Sequence, residues 1–84
     1  MLKISKQGEV LKVEGTLGGA WVSELQRTIR RLLDEHGRAT LDLSSVVFVD
    51  RAGAELLLAL RSDSRVEIGS VSAFVAEMLK GGAA

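Results

Sequence analysis

Between Leu41 and Leu60, LDLSSVVFVDRAGAELLLAL, the chain changes its hydrophobic period twice, and everything around it has to accommodate that change. Leu41 and Leu43 alternate with Asp42 and Ser44, the two-residue period of a half-buried strand. Val46-Val47-Phe48-Val49 follows as a short apolar run, which predicts a strand segment held inside. The run stops at Asp50. Beyond it Ala52, Gly53, Leu56, Leu57 and Leu60 recur at helical spacing, the pattern of a helix with one buried face. Asp50 stands where the N-cap of that helix belongs, with a carboxylate able to accept from the free N–H of Ala52 or Gly53. Capping is a structural role, and direct recognition of a partner is the functional alternative for the same side chain. Gly53 has no Cβ, which suits close packing of the helix on a sheet and equally the close approach of a partner.

The flanking chain supplies the partners this strand and helix need. Leu2 and Ile4 alternate with Lys3 and Ser5, strand character resumes at Val10-Leu11-Lys12-Val13, and Gln7-Gly8 between them signals a hairpin turn. Gly15 to Gly19, GTLGG, breaks the pattern and opens a helix predicted from Ala20 to His36, with Val22, Leu25, Ile29, Leu32, Leu33 and His36 on one stripe facing the sheet. Trp21 lies at the edge of that stripe, where core packing is the expectation and a partner anchor the alternative. The pair Gly18-Gly19 precedes a helix as an anion cradle does, but neither a Walker pattern nor GxGxxG accompanies it, so it reads as a loop. His36 beside Gly37 fits a helix C-terminus. After the central helix, Arg65 to Gly69 predicts a further short strand, and Val71, Phe74, Val75, Met78 and Leu79 predict a last helix capped by Ser70 or Ser72, with Gly81 to Ala84 fraying. The order is ββαβαβα. Strands joined through helices run parallel, so the expected fold is an α/β single domain over residues 1–80, a mixed four-stranded sheet with its helices on one face. The open face, with Lys3, Lys12, Glu14 and Asp42, is left to water or to a second subunit of a homodimer.

Composition narrows the function. The chain has no cysteine and one histidine among its 84 residues, which removes disulfides and thiolate nucleophiles and predicts neither a metal nor a cofactor. Eleven basic and eleven acidic residues cancel, and the one basic cluster, Arg27, Arg30 and Arg31, is followed at once by Asp34 and Glu35. That is a solvated helix face, so no nucleic-acid partner is expected. No apolar h-region follows Met1 and no run approaches the roughly 20 residues that span a bilayer, which predicts a cytoplasmic protein without membrane insertion.

The run Leu43-Ser44-Ser45-Val46, then Phe48-Val49-Asp50, Gly53 and the following leucines, resembles the signature of the STAS family, to which the bacterial anti-sigma factor antagonists of transcription regulation belong. Val13-Glu14-Gly15-Thr16-Leu17 ahead of the first helix is similar as well, and the order of elements agrees over the whole chain. The resemblance implies a cytoplasmic signalling module that binds a protein partner around the start of the second helix. Within that turn it groups Ser44, Ser45, Asp50 and Gly53. It also marks a departure: Arg51 and Ala52 stand where family members carry the serine or threonine that a partner kinase phosphorylates, and neither accepts phosphate.

Three function classes follow, in order. First is a non-catalytic protein-interaction module docking on an anti-sigma factor kinase or on a transporter or scaffold subunit. Its partner-binding residues are expected to be Asp50, Arg51, Ala54, Glu55 and Leu58, because helical spacing turns Leu58 away from the core-facing arc of Gly53, Leu56, Leu57 and Leu60. The resemblance leaves sigma regulation and an accessory role in a lipid-transport complex both open. Second is a nucleotide-binding regulatory module at the carboxyl ends of the parallel strands. Catalysis comes third: Ser44 and Ser45 have no histidine nearby in sequence, and Asp42 and Asp50 are the only acids that offer a pair where strand ends meet.

Overall fold

The computed structural model describes residues 2–82, with the side chains of 2–80. The hairpin forms from β1 (Leu2–Gln7) and β2 (Val10–Leu17), antiparallel across the turn at Gly8. Helix α1 (Ala20–His36) follows, then β3 (Ala39–Val49), α2 (Arg51–Arg61), β4 (Val66–Val71) and α3 (Ala73–Gly82). The sheet order is β1-β2-β3-β4, and β2, β3 and β4 run parallel, so those three strands end at one edge and all three helices start there. This is the expected α/β ββαβαβα arrangement with its mixed four-stranded sheet. Of the residues 81–84 expected to fray, Gly81 and Gly82 instead continue helix α3, and 83–84 lie outside the described residues.

One face of the sheet carries Leu11, Val13, Leu41 and Leu43, all fully buried under a helical layer that contributes Leu25, Ile29 and Leu32 from α1, Leu57 from α2 and Val75 from α3. Each such side chain contributes about 1.5–3 kcal/mol by leaving water, which makes this aliphatic layer the main source of stability in so short a chain. Helix α1 stops at Gly37, whose φ of 76° is the left-handed conformation a Cβ disfavours, and whose N–H donates to the Leu33 carbonyl at 2.9 Å. The opposite face exposes Lys3 and Lys12 and half-exposes Glu14 and Asp42, with Lys12 and Glu14 3.6 Å apart.

The second half of β3 departs from strand alternation. Lys12 to Glu14 of β2 pairs with Asp42 to Ser45 of β3, and Gly15 to Thr16 pairs with Val46 to Phe48, so β3 carries one extra residue at each step. Its inward side chains therefore come every three residues, at Leu43, Val46 and Val49, while Val47 and Phe48 face solvent. The apolar run expected to stay inside is half outside for this reason. Ser44 and Ser45 are strand residues within this stretch, not members of the turn before α2.

Three other side chains depart from expectation. His36 is exposed at the end of α1, since the stripe has run past the sheet by then. Trp21 and Phe74, both in first turns, are exposed instead of packed in the core. Val71 closes β4 before α3 begins, and of the two candidate caps it is Ser72 that acts: its hydroxyl accepts the Val75 N–H at 3.2 Å and donates to the Val46 carbonyl at 2.6 Å. That second bond ties the start of α3 to the edge of β3, beyond the point where β4 pairs with it.

Candidate docking site at the carboxyl end of the sheet

The carboxyl end is organised by one carboxylate. Asp50 Oδ1 accepts the Gly53 N–H at 2.8 Å, capping α2, and Oδ2 accepts the Gly19 N–H at 3.0 Å, serving the start of α1. Helix α1 has no side-chain cap of its own and no acidic residue in its first turn. The anion that a Gly18-Gly19 turn at a helix start would attract is thus supplied from within the chain. The Asp50 N–H donates to the Leu17 carbonyl at 3.0 Å, so both ends of this residue bind the β2–α1 connection. The Gly53 amide first, then those of Gly19 and Ala52, holds the Asp50 carboxyl below the usual carboxylate range. The cap expected for α2 is present, and the same carboxylate also serves α1.

Two glycines make that proximity sterically feasible. A Cβ on Gly53 would lie 2.8 Å from both the Leu17 carbonyl oxygen and Val49 Cγ1, and one on Gly18 would lie 2.7 Å from Asp50 Oδ2. Close packing, not the approach of a partner, therefore accounts for Gly53, which is buried.

The five expected partner-binding residues divide. Arg51 and Glu55 are exposed and face each other at 3.5 Å across one helical turn. Asp50 turns inward as described. Ala54 packs against the core, and Leu58 is half-buried instead of exposed, because an eleven-residue helix lying between α1 and α3 has little free circumference. Ala52 is exposed, so the first turn presents Arg51 and Ala52 to solvent with no hydroxyl between them.

The remaining residues of the expected turn lie elsewhere. Ser44 N–H and Oγ both donate to Asp42 Oδ1, at 3.0 and 2.7 Å, closing a local turn on β3 and holding the Asp42 carboxyl below its ordinary range, the hydroxyl contributing most. Asp42 and Asp50 are eight residues apart on one extended segment, a separation of about 20 Å or more. They form no acid pair.

Sequence reasoning missed the apolar half of this end. Val47, Phe48, Phe74 and Trp21 are the large hydrophobics exposed here, and the Phe48 and Phe74 rings lie 5.5 Å apart at 42°. The three-residue spacing of Leu43, Val46 and Val49 was the available signal.

An open mixed sheet covered by helices, with a glycine-tight strand-to-helix turn, is an architecture that many small α/β domains share. Within it the assignment is specific: the profile of the family described as "Mlab, STAS domain" matches residues 1–81, and the chain belongs to the STAS domain family. A comparison with curated proteins gives no match. No helix among the described residues is long and apolar enough to cross a membrane.

Proposed function

We propose that this chain is a non-catalytic protein-interaction module that docks on a regulatory or scaffold partner through the start of α2, in the manner of the anti-sigma factor antagonists it resembles. The observation that supports this reading is the Asp50 carboxylate, which fixes the starts of α1 and α2 together while Arg51, Ala52 and Glu55 are exposed on the outer side. A surface pre-organised in this way loses little conformational entropy when a partner binds. Arg51 is the principal contact and Glu55 sets its direction; Leu58, half-buried, borders the contact.

A second reading has its own support. An antagonist cycled by a kinase needs a hydroxyl at the start of α2, and Arg51 and Ala52 have none. Constitutive docking suits an accessory subunit of a permanent assembly, such as a lipid-transport complex, better than it suits a phosphorylation switch.

Affinity isolation of the tagged chain from its native cell, mass spectrometry of what accompanies it, and titration of the purified partner test both. Arg51→Glu is expected to weaken binding while leaving the circular dichroism melt unchanged. Incubation with candidate kinases and ATP is expected to leave the chain unmodified. Stoichiometric phosphate on Ser44 or Ser45 would remove the constitutive reading.

A further inference from the structure

The chain has three aromatic residues, and its core uses none of them. Trp21 lies in the first turn of α1, Phe48 one residue before the end of β3 and Phe74 in the first turn of α3, so all three decorate the carboxyl end of the sheet. Phe48 and Phe74 stack at 5.5 Å yet remain 49% and 39% exposed, and Val47 beside them is 67% exposed. Aromatic side chains carry the largest apolar area available to a small domain and are enriched at the centres of interfaces. Here they are withheld from the core and paired in water.

Strand register places this cluster apart from Arg51 and Glu55. Thr16 pairs with Phe48 as Lys12 does with Asp42 and Glu14 with Ser45, so Phe48 lies on the open face, whereas Leu17 and Val49 share the helix face. Phe74 reaches it because the Ser72 hydroxyl pins the start of α3 to the β3 edge.

Charge selects what covers the cluster. Glu77 stands one turn along α3 from Phe74, exposed and without an ion pair among the described residues, and Glu14 on the neighbouring strand has only Lys12 at 3.6 Å. Arg51, the cation closest to Phe48 in the chain, is engaged by Glu55. We propose that Val47, Phe48 and Phe74 form a second docking surface, for a protein segment that presents apolar side chains flanked by a basic one that meets Glu77.

The test begins with a photo-reactive benzoylphenylalanine at position 47 of the whole chain in its native cell. The cross-linked species is identified, made recombinantly, and titrated at two salt concentrations against the unmodified chain and the variants Phe48→Ser, Glu77→Lys and Arg51→Glu. The expected product is a different polypeptide. Its affinity should fall at least about tenfold with Phe48→Ser, and Glu77→Lys should weaken it with a flatter salt dependence. Glu77→Lys alters an exposed side chain and keeps the test valid if Phe48→Ser fails to fold. A cross-link only to a second copy, only to lipid, or to nothing overturns the proposal, as does a purified partner indifferent to both Phe48→Ser and Glu77→Lys. Arg51→Glu reads the α2 site separately: loss there with the position-47 cross-link retained keeps the two surfaces distinct.

Discussion

The two ends of the sheet are built from different materials. At the amino end, where β2, β3 and β4 begin, the surface is charge paired with charge: Arg38 with Glu9 at 2.8 Å, Arg65 with Asp63 at 3.0 Å and Lys6 with Glu35 at 3.0 Å. The large apolar side chain exposed there is Val10. At the carboxyl end the ion pairs lie along helices, Arg51 with Glu55 at 3.5 Å and Arg27 with Glu24 at 3.3 Å, while Asp50 is consumed by backbone amides and every aromatic residue lies in or near solvent. Exposed ion pairs contribute little to stability and offer little apolar area for another surface to cover. Exposed rings do the opposite. The contrast implies that contact is concentrated at one end and that the tight backbone packing beneath it is what holds that end in shape.

Packing at the carboxyl end gives the largest expected effects. Leu57 is fully buried, so Leu57→Glu places an unpaired charge in the core and should abolish cooperative unfolding in a thermal melt. Leu58→Glu, one residue on but only half-buried, should leave a folded domain with a lowered midpoint. Equal loss from both would mean that Leu58 belongs to the core. Next comes Gly53→Ala: a methyl 2.8 Å from the Leu17 carbonyl oxygen forces α2 away from the sheet, at a cost of about 1–3 kcal/mol in denaturant titration.

The Asp50 bridge should show itself in pH dependence. Its folded carboxyl is depressed, so the stability it confers is fully present above the unfolded value of about 3.9 and is lost as pH falls through the lower folded value. Asp42, Glu35 and Asp63 are depressed as well, by Ser44, Lys6 and Arg65 respectively, and share the acid window. Asp50→Asn keeps an oxygen for the Gly53 N–H but turns a donor toward the Gly19 N–H. The variant should be less stable than the parent near neutrality, and the two stability curves should converge as pH falls from the unfolded value of about 3.9 through the lower folded value, beneath which the parent carboxyl also becomes a donor. Parallel curves down to low pH would show that Gly19 does not depend on this charge.

Much of this architecture is legible in the residues, and the part that is not has a definite cause. The two-residue alternation at Leu41 and Leu43, the helical stripe from Leu25 to Leu32 and the caps at Asp50 and Gly37 are local signals, and each element forms where they place it. Val47 and Phe48 escaped because a residue's face depends on register against β2, and the two extra residues of β3 invert the alternation where the apolar run suggests burial. Arg51 and Glu55 are exposed while Ala54 and Leu58 are half-buried, since periodicity gives the direction of a side chain but not the neighbours α1 and α3 that flank α2. Asp50 was legible as a cap for α2; its bond to Gly19 joins residues 31 positions apart and has no local signature.

The smallest effects on stability sharpen the contrast between the ends most directly. Arg38 lies at the amino end with its guanidinium on Glu9 in open solvent, and salt and water compete fully for that contact. Arg38→Ala should therefore leave the melting midpoint within experimental scatter and leave partner affinity unchanged. Phe74→Ser removes a ring that is already 39% exposed and whose neighbour Phe48 is half in water, so the apolar area returned to solvent is modest. Its midpoint should fall by a few degrees at most. Val75 and the Ser72 cap still anchor α3 in the variant, which is why the helix should persist in circular dichroism. Affinity for the partner captured from position 47 should nevertheless fall at least about tenfold with Phe74→Ser. If Arg38→Ala weakened that binding as much as Phe74→Ser does, contact would extend over both ends and the division of labour drawn here would fail. If Phe74→Ser melted the domain outright, the Phe48 and Phe74 pair would belong to the core, and its exposure would have to be read as the edge of the packing and not as a surface for another protein.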